Sequence, residues 1–194
     1  MNDRHFALLL PVLLLASCAS PVPMRDGARH FLPYADAPKT EVALDNSPSL
    51  GIREVRLPAY LDGTKIALRK NGAELIYNDF ELWAEPLDDS VRRILEQGLS
   101  ARAGTDKVFL YPFKPNEARD VDLQVIFDRF EGDVDGGVHA QGRVMFSGAA
   151  APAVMPFDYE ASWDGKDCAT LAKALGETVD RLAADIMRTL DKAD

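Results

Sequence analysis

Alternation of apolar and polar residues along much of the chain predicts a protein built around a β-sheet. Residues 121–127 show the pattern clearly, with an apolar residue at every odd-numbered position. Phe130 falls outside that odd-numbered register, which indicates a bulge or a strand end nearby. The other segments of strand-like composition are 29–34, 52–57, 66–69, 74–77, 80–87, 108–113, 138–146 and 156–163.

Two segments have helical periodicity instead. In the first, apolar residues recur at steps of three and four from Val91 to Leu99, with candidate N-cap acceptors at 88–90 and a candidate C-cap at Gly104. The second begins with a candidate N-cap at Asp167. It continues as a single apolar stripe made of Leu171, Leu175, Val179, Leu182, Ile186 and Leu190.

The order of these elements favours an α+β fold with a single domain. Asn71-Gly72 between two strand segments is a strong hairpin signal, and an acidic turn at 133–137 is predicted to join two later strands. The simplest architecture packs the two main helices on one face of a largely antiparallel or mixed β-sheet. A chain of 194 residues is long enough to form such a core.

The N-terminal segment has the features of an export signal. Residues 6–15 form an apolar run of ten residues, which is too short to span a bilayer as a helix. The run leads into Leu15-Ala16-Ser17-Cys18, which resembles the bacterial lipobox. That resemblance implies that Cys18 is lipidated and becomes the mature N-terminus; the alternative is a plain signal peptide with an incidental cysteine.

We therefore expect residues 1–17 to be a lipoprotein signal peptide, 18–28 a tether, and 29–194 the folded domain. The chain has a formal net charge of −9, so its surface disfavours nucleic-acid binding and is repelled by bare anionic lipid headgroups. Membrane attachment would then depend on the lipid at Cys18. The one other cysteine, Cys168, has no partner for a disulfide if Cys18 carries lipid.

The residues that often carry chemistry form no clear site. The three histidines lack ligand-like spacing, so we expect no metal and no cofactor beyond the covalent lipid on Cys18. His139 lies on the polar face of a predicted strand and is expected to be solvated. Cys168 is either a small buried residue at a helix start or, less simply, a nucleophile with a lowered pKa. The glycines match neither nucleotide-binding pattern.

Three short motifs carry a family resemblance. Pro-Ala-Tyr-Leu-Asp at 58–62 is followed about twenty residues later by Trp-Ala-Glu-Pro-Leu at 83–87, and Arg-Phe-Glu stands at 129–131. Together with the lipobox, this ordered combination resembles the ABC-type transport auxiliary lipoproteins, the PqiC-like and YmbA-like family. The resemblance covers most of the chain after Cys18.

The resemblance implies a non-enzymatic accessory subunit of an MCE-type, ABC-linked intermembrane lipid transport system that contributes to membrane integrity. Its partners would be an MCE-domain protein and the associated ABC transporter or membrane subunits. By the lipoprotein sorting rule of enteric bacteria, which other bacteria do not all follow, Ala19 after Cys18 favours anchoring in the inner leaflet of the outer membrane, facing the periplasm. Whether the protein also forms a homo-oligomer is left open.

The two aromatic-proline motifs supply the candidate partner-binding residues Pro58, Tyr60, Trp83, Glu85 and Pro86. Proline marks strand ends or edges, so both aromatic side chains are expected near such ends. Each is then either a core residue or an anchor for a partner. Two other functions compete: a lipoprotein that regulates a cell-wall synthase or supports outer-membrane assembly, and an enzyme that uses Cys168.

Overall fold

A computed structural model describes residues 27–36, 47–104, 106–148 and 153–192. Cys18, the signal segment and most of the predicted tether lie outside these residues. Within the described ranges the chain forms eight strands, one 3-10 helix and two α-helices. Their bounds are β1 Arg29–Phe31, β2 Leu50–Arg56, the 3-10 helix Ala59–Leu61, β3 Lys65–Lys70, β4 Glu74–Trp83, α1 Leu87–Ala103, β5 Val108–Leu110, β6 Val121–Asp133, β7 Gly137–Gly148, β8 Val154–Ser162 and α2 Cys168–Asp191.

All eight described strands belong to one mixed sheet, organised around the long strand β6. On one side, β6 pairs antiparallel with β7, which pairs antiparallel with β8. On its other side, the first half of β6 pairs in parallel with β2, and its last residues pair in parallel with β3. The sheet therefore divides into two branches: β2 continues to β5, and β3 continues through β4 to β1. This confirms the predicted α+β class with a mixed sheet.

The register of β6 against β7 shifts between Phe127 and Arg129, so of the two alternatives predicted near Phe130, a bulge or a strand end, the bulge is present. Gly142 pairs with Phe127 at this point, and a Cβ on Gly142 would lie 2.1 Å from the carbonyl oxygen of Ile126. Only glycine lets the two strands approach so closely. Because of the bulge, the side chains beyond it change register, and Phe130 is fully buried.

The predicted hairpin at Asn71-Gly72 joins β3 to β4, and both turn residues have positive φ angles of 51° and 75°. Such angles suit the two-residue turns that match the twist of paired strands. The segments 74–77 and 80–87 were predicted as separate strands, but 74–83 is one strand, β4. The polar residues 78–79 separate the two segments in the sequence. In the structure they lie within the strand, where Asn78 Oδ1 accepts hydrogen bonds from the backbone N–H groups of Phe80 and Glu81.

Both helices pack against the sheet and against each other. The apolar stripe predicted for α2 is buried along its whole length, and Asp167 caps the helix by accepting a hydrogen bond from the N–H of Ala169. The N-cap predicted at 88–90 is wrong, because α1 begins at Leu87 with Pro86 in the cap position. Asp88 and Asp89 instead lie in the first turn, where negative charge stabilises the helix dipole. In the described part of the chain, no helix is long and apolar enough to cross a bilayer.

Candidate functional site: the 3-10 helix and the start of α1

The 3-10 helix covers the face of the sheet that points away from α2. Gly132 in β6 faces α2, because a Cβ built on it would lie 2.6 Å from Leu171. Neighbouring residues of a strand point to opposite faces, so Glu131 points away from α2. Its side chain is nevertheless completely buried, because Tyr60 of the 3-10 helix lies over it.

The carboxylate of Glu131 is the centre of a buried polar network. It accepts hydrogen bonds from the Tyr60 hydroxyl at 2.5 Å, from Arg69 Nε at 2.6 Å and from Arg129 Nε at 2.6 Å. The guanidinium of Arg69 also lies over the ring of Tyr60, 5.6 Å from its centroid. A carboxylate with two cationic donors and a hydroxyl has the partners that an ionised buried group requires.

The network continues to the turn between β6 and β7. Arg129 Nη2 donates to Asp133 Oδ1 at 2.8 Å, and Asp133 Oδ2 lies 2.9 Å from His139 Nε2. The expectation that His139 is solvated is therefore wrong: its side chain is 20% exposed and is hydrogen-bonded to Asp133. The acidic turn itself is the predicted hairpin turn.

Burial and hydrogen bonding shift the pKa of Glu131 in opposite directions. Burial raises the pKa of the carboxyl, but hydrogen bonds from Arg69, Arg129 and Tyr60 outweigh it, and the net pKa is below its usual range. For Tyr60, burial and then the hydrogen bond to Glu131 raise the pKa of the phenol to about 12. At neutral pH the pair is a charged acceptor and a neutral donor, which stabilises the position of the 3-10 helix.

Glu85 and Pro86 define where α1 starts. Glu85 Oε1 accepts hydrogen bonds from Ser90 Oγ at 2.5 Å and from Arg93 Nη2 at 2.6 Å. These two bonds hold the pKa of the Glu85 carboxyl below its usual range. The carbonyl of Pro86 accepts the N–H of Asp89 at 3.1 Å. The motif at 83–87 thus connects the end of β4 to the first turn of α1.

The two aromatic-proline motifs meet at a cleft of about 310 Å³, which we call the motif cleft. Leu57 and Leu61 contribute apolar surface from the side of the 3-10 helix, and Pro86 and Leu87 contribute it from the start of α1. The complete lining is Val55, Arg56, Leu57, Leu61, Asp62, Gly63, Pro86, Leu87 and Asp88. Residues about 25 positions apart in sequence therefore share one surface feature.

The five predicted site residues have different positions relative to the cleft. Pro86 lines it and is exposed, while Pro58 precedes the 3-10 helix and is partly buried. Tyr60 is partly buried and directs its hydroxyl to Glu131, not into the cleft. Trp83 is 3% exposed and belongs to the core, which agrees with the packing alternative. Glu85 is partly buried by its bonds to α1.

Sequence reasoning missed Arg69 as a partner of Glu131. The two residues lie 62 positions apart, and no spacing in the sequence relates them. Arg129 and Glu131 are two positions apart in one strand and so point to the same face, which is a signal that could have been used. Asp133 continues the same alternation and joins the network.

Cys168 has the environment of a structural cysteine. It is 1% exposed, and its thiol donates to Glu81 Oε2 at 3.1 Å. Burial, and then the hydrogen bond to Glu81, raise the pKa of the thiol to about 12. At neutral pH the nucleophilic thiolate is therefore suppressed. Among the described residues, no group of three His, Cys, Asp or Glu side chains is placed to hold a metal ion.

Residues 31–187 match the family model of the ABC-type transport auxiliary lipoprotein component. The chain belongs to this family. It is 25% identical over 191 residues to the intermembrane transport lipoprotein PqiC of Escherichia coli K12, covering 97% of this chain and 98% of that protein. The protein of the same name from Shigella flexneri matches equally well. Both relatives are named as transport lipoproteins, not as enzymes.

Solved structures share the fold. A crystal structure of an uncharacterized protein superposes with a TM-score of 0.67 at 20% identity, covering 83% of this chain and 97% of that one. A crystal structure of a Xanthomonas campestris protein gives a TM-score of 0.67 at 17% identity, covering 84% and 95%. The family makes this chain an auxiliary component of a transport system with other subunits, and a lipoprotein of such a system belongs to the cell envelope.

Proposed function

We propose that the protein is a non-enzymatic accessory subunit of an MCE-type intermembrane lipid transport system. In this proposal, lipid on Cys18 anchors it in the inner leaflet of the outer membrane, and the folded domain binds an MCE-domain protein in the periplasm. It thereby contributes to membrane integrity. The family and the two relatives named for intermembrane transport support the transport role.

The motif cleft carries the proposal of a contact function. It brings the motifs at 58–62 and 83–87 to one surface and gives them a shared apolar floor. Two carboxylates on its rim, Asp62 and Asp88, are exposed and form no ion pair with the described residues. An apolar floor with free acids at its rim suits a protein segment that presents an apolar side chain beside a basic one.

The surroundings of the cleft favour a rigid contact surface. Tyr60 fixes the 3-10 helix to the buried carboxylate of Glu131, and Glu85 fixes the first turn of α1. Both walls are thus positioned before any partner arrives, which reduces the entropy lost on binding. The suppressed thiolate of Cys168 gives the competing enzymatic function no support from the structure.

Purification of the full lipidated chain from envelope membranes tests this proposal. We expect it to capture an MCE-domain protein, identified by mass spectrometry. A double charge reversal on the cleft rim, Asp62→Lys with Asp88→Lys, should reduce that capture at least tenfold. The matched control reverses two exposed acids of β8 and α2 that lie outside the cleft lining, Glu160→Lys with Asp191→Lys, and should retain it.

Three outcomes contradict the proposal at different points. Capture of cell-wall synthases or assembly factors in place of an MCE-domain protein would favour the competing lipoprotein function. Full capture by the rim variant would place the contact surface away from the cleft. A mature N-terminus other than acylated Cys18, read by mass spectrometry, would exclude the lipid anchor.

A further inference from the structure

The most exposed large apolar side chain of the described residues is Phe80, in β4, with 69% of its surface accessible. Tyr77 of the same strand is 43% exposed. No ring contact, hydrogen bond or ion pair within the described ranges involves the side chain of Phe80. Together the two rings expose aromatic surface on one strand, and a contiguous exposed apolar patch, unlike a single apolar side chain, often marks a contact with another phase or molecule.

Phe80 and Tyr77 lie on the sheet face opposite the helices. Trp83 is buried and Glu81 accepts the thiol of Cys168 in α2, so the adjacent Phe80 points the other way. Between Tyr77 and residue 82, β4 has extra residues opposite β3, and this register shift lets Tyr77 and Phe80 share a face although they are three positions apart. The hydroxyl of Tyr77 donates to the carbonyl of Tyr60, which places Tyr77 on the same face as the 3-10 helix. We call the surface formed by Tyr77 and Phe80 the Phe80 face.

Local structure holds Phe80 in this exposed position. Asn78 Oδ1 accepts the backbone N–H of Phe80 at 3.0 Å, and Asp79 pairs with Lys65 at 2.6 Å across the β3–β4 hairpin. These contacts fix the backbone around Phe80, so the exposure of its ring is a property of the folded strand. A polar residue would be the ordinary choice at such an exposed strand position.

The chain that leads to the anchor enters the domain beside this face. β1 pairs in parallel with β4, and Arg29 is aligned with Glu81, the residue after Phe80. Cys18 precedes Arg29 by only eleven residues. A fully extended segment of that length spans at most about 40 Å, and a flexible one averages roughly 20 Å. Lipid on Cys18 would thus keep this edge of the sheet close to a bilayer surface.

The charge of the β3–β4 hairpin, residues 65–83, also suits a membrane surface. Residues 65–83 contain three cations and three acids: Lys65, Arg69, Lys70, Glu74, Asp79 and Glu81. Each of these side chains takes part in an ion pair, and Glu81 pairs with Arg29. The net charge of −9 therefore comes from outside residues 65–83, so this hairpin adds no repulsion of its own from anionic headgroups.

We propose that the Phe80 face rests on the bilayer next to the lipid anchor, with the ring of Phe80 in the interfacial layer of the headgroups. This rests on the lipid anchor in the proposed function but not on the MCE partner. Tyrosine favours that layer because its ring has an apolar body and a polar tip, and phenylalanine side chains of surface-bound segments bury their rings at the boundary of headgroups and acyl chains. Contact between the Phe80 face and the bilayer would restrict rotation of the domain about its tether.

Tryptophan fluorescence in vesicles tests this orientation. Phe80→Trp and, as a control, Tyr111→Trp are made in the full lipidated chain and reconstituted into vesicles of phosphatidylethanolamine and phosphatidylglycerol in a 3 to 1 ratio. Tyr111 is 59% exposed and follows β5, at the opposite end of the strand order from β1 and β4. The native Trp83 and Trp163 are buried, so the wild type supplies the background.

With brominated acyl chains in the vesicles, we expect the added tryptophan at position 80 to be quenched at least twice as strongly as that at position 111. Equal quenching at the two positions would overturn the proposal, as would no quenching at position 80, the result expected if a second copy or another protein covers the face. Capture of the MCE-domain protein is measured on the same samples. Lost capture with retained quenching at position 80 contradicts the proposed function alone. Retained capture without quenching at position 80 contradicts this inference alone.

Discussion

Beneath α1 and α2, the sheet is covered by apolar side chains, among them Leu171 and Leu182, which are at most 1% exposed. Beneath the 3-10 helix, the same sheet is covered by Tyr60 and two arginines around the carboxylate of Glu131, which is equally buried. The helix face is stabilised by the removal of apolar surface from water, which tolerates small changes of geometry. The opposite face depends on specific hydrogen bonds, and these position the cleft.

The largest effect is expected from removal of the buried carboxylate. Glu131→Ala leaves Arg69 and Arg129 next to each other without their shared anion, and loss of one partner from a buried ion pair costs about 3–5 kcal/mol. Equilibrium urea denaturation measures this loss. The control Glu160→Ala removes a carboxylate whose side chain is 80% exposed and should change stability by less than about 0.5 kcal/mol.

A slightly smaller effect is expected on the helix face. Leu182→Ala should lower the free energy of unfolding by about 2–5 kcal/mol, because it leaves a cavity in the core and loses apolar burial. Leu32→Ala, at a leucine that is 42% exposed, is the matched control. If Leu182→Ala leaves the thermal midpoint unchanged, α2 is peripheral and the comparison of the two faces fails.

These two faces also differ in how much of them the sequence predicts. The helix face follows from periodicity, since the apolar stripe of α2 and the alternation in β6 each lie in one continuous segment. The network requires residues from β3, β6, β7 and the 3-10 helix, and their proximity depends on the division of the sheet at β6. A parallel pairing of β3 with β6 has no local signal, so Arg69 was not assigned to Glu131.

Two local predictions were wrong for reasons that lie in nearby residues. Asn78 forms a side-chain turn within β4, and its polar side chain separates the two apolar segments of what is one strand. The residues at 88–90 resemble an N-cap, but Glu85 binds Ser90 and the helix begins before them. The cleft between the motifs at 58–62 and 83–87 has no signal in the sequence, because it depends on how the fold brings the 3-10 helix beside the start of α1.

A smaller change distinguishes the contribution of the Tyr60 hydroxyl from that of its ring. Tyr60→Phe removes the hydrogen bond to Glu131 but keeps the packing, so we expect a loss of about 1.5–3 kcal/mol, the range for a hydrogen bond to a charged group. Tyr111→Phe is the control, at an exposed tyrosine. Because the hydroxyl positions one wall of the cleft, capture of the MCE-domain protein should also weaken. Unchanged stability together with unchanged capture would remove Tyr60 from the site.

Acid provides the mildest perturbation of the network, because it adds one proton and removes no atom. The pKa of Glu131 is lower in the folded protein than in the unfolded chain, so the unfolded state takes up the proton first as the pH falls. The stabilisation from this group is complete above the unfolded pKa, near 4.3, and is lost as the pH falls through the folded pKa. Urea denaturation of the wild type and of Glu131→Gln, followed from pH 7 downward, isolates the contribution. We expect the difference in unfolding free energy between the two proteins to shrink over the acidic range, because the glutamine cannot titrate.

A constant difference down to pH 3 would contradict this expectation. It would show that protonation of Glu131 does not destabilise the fold, and that the charge of its carboxylate is not what holds the 3-10 helix on the sheet.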